Sequence, residues 1–187
     1  ANKCADRKEM EEELVKVILP ENTRILVTGW GRVGNGAREI LDLLPITEVS
    51  PEEYLTKKFD GAIFTHLEID EYYAPKDGSE FVKSDFYSKP ETYKAILDRY
   101  ILQDTNMYIP CHYWSDKSPF LITRDVLQSP SLKLKVVADV SCDIDGPIAS
   151  TIRPSVIADP IYGYDPATHQ EVDFKMEGSI AVMAVDN

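Results

Sequence analysis

The sequence holds only three cysteines, Cys4, Cys111 and Cys142, an odd number with none of the spacings of a zinc site, so neither a disulfide framework nor a structural metal is expected. Such sparing use of thiols fits a reducing compartment, and the chain reads as cytoplasmic. Long apolar runs are missing: residues 25–27, 62–64 and 180–185 fall far short of the roughly 18 to 20 residues a membrane span needs. Residues 1–13 are polar and lack the apolar core and cleavage pattern of a secretory signal. A first residue of Ala in place of Met points to a processed or excised chain. Basic residues are also short, with 20 Lys plus Arg against 32 Asp plus Glu and a net charge of −12. A phosphate backbone or an anionic lipid would meet a repulsive field, so no nucleic acid and no membrane is expected as a partner. There is no internal repeat, catalytic triad, HExxH or Walker pattern. What is there is 187 residues, 43% hydrophobic and 28% charged, enough for a globular chain with a sizeable core.

Strand and helix patterns alternate along that chain. Asp6 and Glu9 have capping-box spacing, and Met10, Leu14, Val17 and Ile18 repeat on one helical face that Pro20 closes. Residues 24–28, Arg-Ile-Leu-Val-Thr, form a short apolar strand without polar alternation, the pattern of a strand covered on both faces. Four glycines then fall within residues 29–36, and Ala37, Ile40, Leu41 and Leu44 show helical spacing up to Pro45. Further strands are expected at 46–49, 61–66, 107–111, 134–139 and 179–185. A helix is expected at 91–102 and a helical turn at 123–127. Residues 70–90 read as an irregular insertion, and the stretch after Cys142 as irregular chain rich in Pro, Gly and Asp. Such alternation favours an α/β fold, one open, doubly wound, mainly parallel sheet of Rossmann type with helices on both faces.

Gly29-Trp30-Gly31-Arg32-Val33-Gly34 is G-x-G-x-x-G placed where its mechanism needs it, directly after an apolar strand and opening a helix. The first glycine permits the tight turn, the second admits a pyrophosphate against bare backbone, and the third lets helix and strand pack closely. The helix N-terminus adds free N–H groups and partial positive charge. A dinucleotide also wants an acid about 20 residues on, and Glu48 lies 19 residues after Gly29. A carboxylate there would favour NAD over NADP, unless Glu48 is only a solvated turn residue. S-adenosylmethionine and flavin are competing ligands for such a turn. Arg32 is a candidate to lend charge to the pyrophosphate or to pair with a nearby acid, and Trp30 is a packing or cleft-wall residue.

Ligands of open α/β sheets lie outside the carboxyl ends of the strands, which draws attention to two more clusters. Cys111-His112-Tyr113-Trp114 follows one strand and is placed to flank the adenine or the nicotinamide ribose. Its bland alternative is a buried thiol beside loop-bonding side chains. Asp139, Ser141 and Asp143 follow another strand and are candidates for ribose, ammonium or proton contacts, against the alternative of turn capping. His66 and His169 have no evident partner in the sequence.

Residues 31–37, Gly-Arg-Val-Gly-Asn-Gly-Ala, resemble the Gly-Arg-x-Gly-x-Gly-Ala turn of the lysine-forming saccharopine dehydrogenases, within the alanine dehydrogenase and pyridine-nucleotide transhydrogenase superfamily. Residues 136–143, Val-Val-Ala-Asp-Val-Ser-Cys-Asp, are similar to the family's Val-Asp-Val-Ser-x-Asp segment. Residues 158–160, 162–165 and 184–187 resemble close relatives in the group. The resemblance spans nearly all of residues 24–187. It implies one dinucleotide-binding domain over residues 1–187, a leading helix at 1–20 and a Rossmann-like core at 24–187, with NAD as cofactor. It also implies a parent of two domains in which a lysine and a histidine on the other domain move protons, while hydride is transferred at a carbon–nitrogen bond of an amino acid or its conjugate. This sequence shows no counterpart of that lysine and histidine, so the chain alone is expected to bind NAD(H) weakly without turnover. The family's aspartate before Glu-x-Ser is Pro45 here, which makes the ribose acid either Glu48 or absent. The alternative to a dehydrogenase domain is a nucleotide-sensing or scaffold module that kept the fold and lost the chemistry.

Overall fold

The computed structural model describes residues 3–186. Ala1, and Asn187 at the end of the family-like stretch 184–187, lie outside the described residues. Helix α1 (Arg7–Leu14) starts on Asp6, whose carboxylate accepts from the Glu9 amide at 2.9 Å, while the Glu9 carboxylate reaches back to the Ala5 amide. The helix stops at Leu14 and buries none of its residues. The apolar face expected to run on through Val17 and Ile18 therefore lies past its end, with Ile18 92% exposed. Strand β1 (Arg24–Thr28) and helix α2 (Arg32–Leu41) stand where the pattern placed them. The chain continues through β2 (Thr47–Glu48), α3 (Pro51–Thr56) and β3 (Ile63–Leu67). Helix α3, not read from the sequence, carries a complete capping box, Ser50 with Glu53, and a proline at its first turn.

Residues 69–102 depart from expectation. They hold the short helix α4 (Ile69–Tyr72), strand β4 (Tyr73–Pro75), helix α5 (Lys83–Ser88), a 3-10 turn at Pro90–Thr92, strand β5 (Tyr93–Ala95) and helix α6 (Asp98–Ile101). Where one helix was expected at 91–102, residues 93–95 are extended and pair antiparallel with β4. Packing overrides local propensity here, because the Tyr93 ring meets Phe86 edge-on at 5.1 Å and Phe81 at 5.3 Å.

Strands β6 (Met107–Pro110) and β7 (Val136–Ala138) flank α7 (Arg124–Leu127), which Thr123 caps. The stretch beyond Cys142 is not wholly irregular: β8 (Tyr162–Asp165) and β9 (Gln170–Val172) form an antiparallel hairpin before β10 (Ile180–Met183). Asp165 shapes its turn by accepting from the Ala167 amide and the Thr168 hydroxyl.

The eight strands of the main sheet run in the order β2-β3-β1-β6-β7-β10-β8-β9, parallel from β2 to β10 and antiparallel through β8 and β9. This is the expected mainly parallel α/β sheet of Rossmann type. Alternate residues of β1 feed two apolar layers. Ile25 and Val27 pack beneath Ala37 and Leu41 of α2, and Leu26 joins Tyr54, Leu67, Tyr100 and Tyr108 on the other face. The chain leaves β1 toward β3 on one side and later returns to β6 on the other, so the sheet has its switch point at the β1–β6 boundary. No helix among the described residues is long and apolar enough to cross a membrane.

Candidate functional site

At that switch point the glycine turn is fixed by contacts a side chain would break. Gly29 has φ +96°, and a β-carbon on it would fall 2.4 Å from the Cys111 carbonyl oxygen and 2.8 Å from the His112 α-carbon. A β-carbon on Gly34 would fall 1.8 Å from the Gly29 carbonyl oxygen. Gly31 is different: nothing lies within 4 Å of where its β-carbon would stand. Gly31 is also the N-cap of α2, with no side chain to hydrogen-bond the first amides of that helix. The turn thus presents bare backbone and unclaimed amides to open space, the arrangement an anionic group needs.

A cleft of about 560 Å³ lies over the turn. Gly29, Gly31, Arg32 and Val33 line it from the turn, Cys111, His112 and Tyr113 from the end of β6, and Ser141 from the loop after β7. These eight candidates from the sequence are brought together, and Gly34 lies behind them as packing. Arg32 is exposed and forms no ion pair among the described residues. The Trp30 indole leans on the His66 ring, 4.2 Å between centroids, and forms part of the wall. His66 in turn donates from Nε2 to the Gly29 carbonyl at 2.8 Å.

Two acids chosen from the sequence stand elsewhere. Glu48 lies on the edge strand β2, outside the cleft lining, and pairs with Arg38 at 2.6 Å. The physical reason is strand order: β3, not β2, lies beside β1. The parallel register sets Thr28 opposite Leu67, and the Gly29 amide donates to the Leu67 carbonyl, so the residue that follows β3 next to the turn is Glu68. Glu68 is exposed and lines the cleft, and it was missed because it stands 39 residues past Gly29. Asp139 is 1% exposed and turned inward, accepting from Ser141 Oγ at 2.9 Å, the Cys142 amide at 3.0 Å and Thr151 Oγ1 at 2.6 Å. It ties the loop that carries Ser141 and is not among the cleft-lining groups, which matches the turn-capping alternative.

Burial sets the protonation states of the cleft floor. The Cys111 thiol is pushed up to about 12 by burial, with the Asp139 charge adding to it, so the group is a small apolar wall and not a thiolate. Desolvation alone holds His112 down at about 3, leaving a neutral imidazole. Asp143, at the cleft edge, is raised by burial first and by the Asp139 charge second. Lys83 and Tyr87, one turn apart on α5, close the far wall, a contribution of the insertion that charge and aromatic content alone did not reveal.

Over 199 residues the chain is 30% identical to alpha-aminoadipic semialdehyde synthase of Arabidopsis thaliana, which takes in 94% of this chain and 18% of that protein. Over 182 residues it is 29% identical to the mitochondrial alpha-aminoadipic semialdehyde synthase of Mus musculus, with 86% of this chain and 20% of that protein covered. A stretch of 57 residues, 30% of this chain, is 35% identical to 15% of the saccharopine dehydrogenase (NAD(+), L-lysine-forming) of Emericella nidulans. The chain spans about a fifth of the length of the first two relatives. No family model matches it.

Proposed function

We propose that the cleft binds NAD(H) and that the chain is the dinucleotide-binding domain of a saccharopine dehydrogenase-like oxidoreductase. The observation that carries this reading is the contrast among the three glycines, two locked by packing and Gly31 facing empty space at the N-terminus of α2. That hollow fits a diphosphate, with α2 amides as donors and Arg32 as the nearby cation. On the β3 side, Glu68 would accept from the adenosine ribose hydroxyls and disfavour a 2′-phosphate, and the Trp30 indole walls the same end. On the β6 and β7 side, His112, Ser141 and Asp143 would surround the nicotinamide half. The name of the Emericella relative, which specifies NAD(+), supports the choice of coenzyme.

When bound, the coenzyme would supply or accept hydride at a carbon–nitrogen bond of an amino acid or amino-acid conjugate. This chain's own part is to orient and desolvate. Cys111 and His112 keep the floor dry and uncharged, and the glycine turn fixes the diphosphate so that the reacting ring can lie along β6. The lysine and histidine that the resemblance implies for proton transfer belong to another domain in that family, so we assign turnover to that domain and coenzyme binding to this chain.

Isothermal titration with NADH tests the site. Saturable heat in the wild type, lost in Gly31→Val without a change in melting temperature, is the expected result. Absence of heat at millimolar NADH, or wild-type binding by Gly31→Val, overturns the reading.

A further inference from the structure

The cleft wall on the β3 side rests on a buried histidine. The parallel register sets His66 beside Val27 of β1, on the face that α2 covers, and the residue is 4% exposed. Its Nε2 lies 2.8 Å from the Gly29 carbonyl oxygen, and a β-carbon on Gly34 would fall 2.8 Å from the same nitrogen. The imidazole is thus wedged between the first and third glycines of the turn. A carbonyl oxygen only accepts, so the hydrogen of this bond is on Nε2. The other nitrogen, Nδ1, is buried with no partner among the described residues. A leucine there would fill space without a bare buried nitrogen, so what the histidine supplies is a flat ring and a donor that holds Gly29.

Both act on Trp30. The bond to Gly29 fixes the backbone one residue before it, and the indole leans on the imidazole with the ring planes 35° apart and the centroids at 4.2 Å. Trp30 is nonetheless 45% exposed, and it lines the cleft. The exposed part of the indole is the part turned away from His66. Aromatic surface of this kind, held at one side and open at the other, is a ready partner for a second flat ring.

We propose that His66 is a positioning residue that holds the Trp30 indole as the plane on which the adenine of the coenzyme stacks. The proposal rests on the NAD(H) reading of the cleft. Place selects adenine over nicotinamide. Glu68 follows His66 by two residues and lines the cleft at the same strand end. Under that reading it holds the adenosine ribose, whose first carbon bears adenine, so this base emerges next to the indole. Charge agrees, because adenine is neutral at ordinary pH and the net charge of −12 does not oppose it. His66 is not among the groups that line the cleft, so its effect on the coenzyme passes through the indole.

Wild type, Trp30→Ala, Trp30→Phe and His66→Leu are titrated with NADH and with ADP-ribose, which keeps adenine and lacks the nicotinamide ring. Trp30→Ala should weaken both ligands alike, by about tenfold, and Trp30→Phe should restore most of the loss. A loss confined to NADH would put the nicotinamide on the indole. That result, or no loss at all, overturns the proposal while leaving the dinucleotide site standing. His66→Leu should also weaken both ligands, and the double variant with Trp30→Ala should lose less than the product of the two single losses. Losses that multiply refute the positioning role. Failure of both ligands to bind the wild type sinks the NAD(H) reading and this proposal with it. Should His66→Leu fail to fold, the nitrogen-15 signals of His66 in the wild type decide. A shift with ADP-ribose as large as with NADH, absent in Trp30→Ala, supports contact through the indole, and no shift, or one that persists in Trp30→Ala, refutes it.

Discussion

Gly29 and Cys111 meet backbone to backbone across the boundary of β1 and β6, with only 2.4 Å between the Cys111 carbonyl oxygen and the place a β-carbon on Gly29 would occupy. Because Gly29 also holds φ +96°, Gly29→Ala should destabilise the fold by about 2 kcal/mol or more. Gly31→Ala, at a position with nothing nearby, should change stability by less than about 0.5 kcal/mol. Urea midpoints of the two variants check this, and equal midpoints would mean that the turn is not held by that contact.

Strand order puts Glu68, not Glu48, beside the glycine turn, and under the proposed NAD(H) reading Glu68 is the ribose acid. Glu68→Gln should therefore narrow the preference for NADH over NADPH by about tenfold, as a charge facing the 2′-phosphate is removed. Glu48→Gln should leave the preference unchanged and only break an edge ion pair with Arg38. Competition titrations with both coenzymes measure it, and selectivity that follows Glu48 instead would refute the assignment.

His112 makes the fold sensitive to acid. Its folded value of about 3 lies below the ordinary 6.5, so the unfolded chain binds the extra proton between those limits. The stability held by the neutral ring is complete above pH 6.5 and is lost as pH falls toward 3. By pH 4.5 the loss should reach about 2–3 kcal/mol relative to pH 7. His66 is depressed in the same direction by burial, so the measure is the difference between wild type and His112→Leu across that range, which should shrink on acidification. A constant difference would show that the ring is not buried neutral.

Asp139 holds its loop through three donors. Asp139→Ala leaves the Thr151 hydroxyl and the Cys142 amide without their acceptor and should cost about 2–4 kcal/mol. NADH affinity, measured well below the lowered melting temperature, should stay within a few fold of wild type. A large affinity loss in a folded variant would instead return Asp139 to the binding surface.

The Cys111 thiol, pushed up to about 12, should resist a disulfide reagent at pH 8 in the native state and react only on unfolding. Counting fast-reacting thiols with and without urea, against Cys111→Ser, checks this. Rapid native labelling of Cys111 would contradict the dry floor.

The parallel half of the sheet was legible because its strands are apolar on both faces and end in turn residues, as residues 24–31 show. The glycine spacing placed the cleft. Sheet order was not legible: a rule of about 20 residues assumes that the second strand neighbours the first, and nothing in residues 46–49 shows that β3 intervenes. Residues 91–102 misled because their helical spacing yields to the aromatic packing of Tyr93. The β8–β9 hairpin left a readable trace, alternate Tyr162 and Tyr164 followed by Asp165-Pro166, but the Pro, Gly and Asp content around it is equally that of irregular chain. Asp139 turns inward and Glu68 lines the cleft for reasons of orientation and strand order, which spacing does not encode.

The outermost strands of the main sheet, β2 and β9, are two and three residues long. A rim that brief offers a neighbouring molecule only a few amides to zip against, and the Arg38–Glu48 clip adds charge at one border. Lateral growth into fibrils is thereby discouraged, even though the strands between those rims are almost wholly apolar.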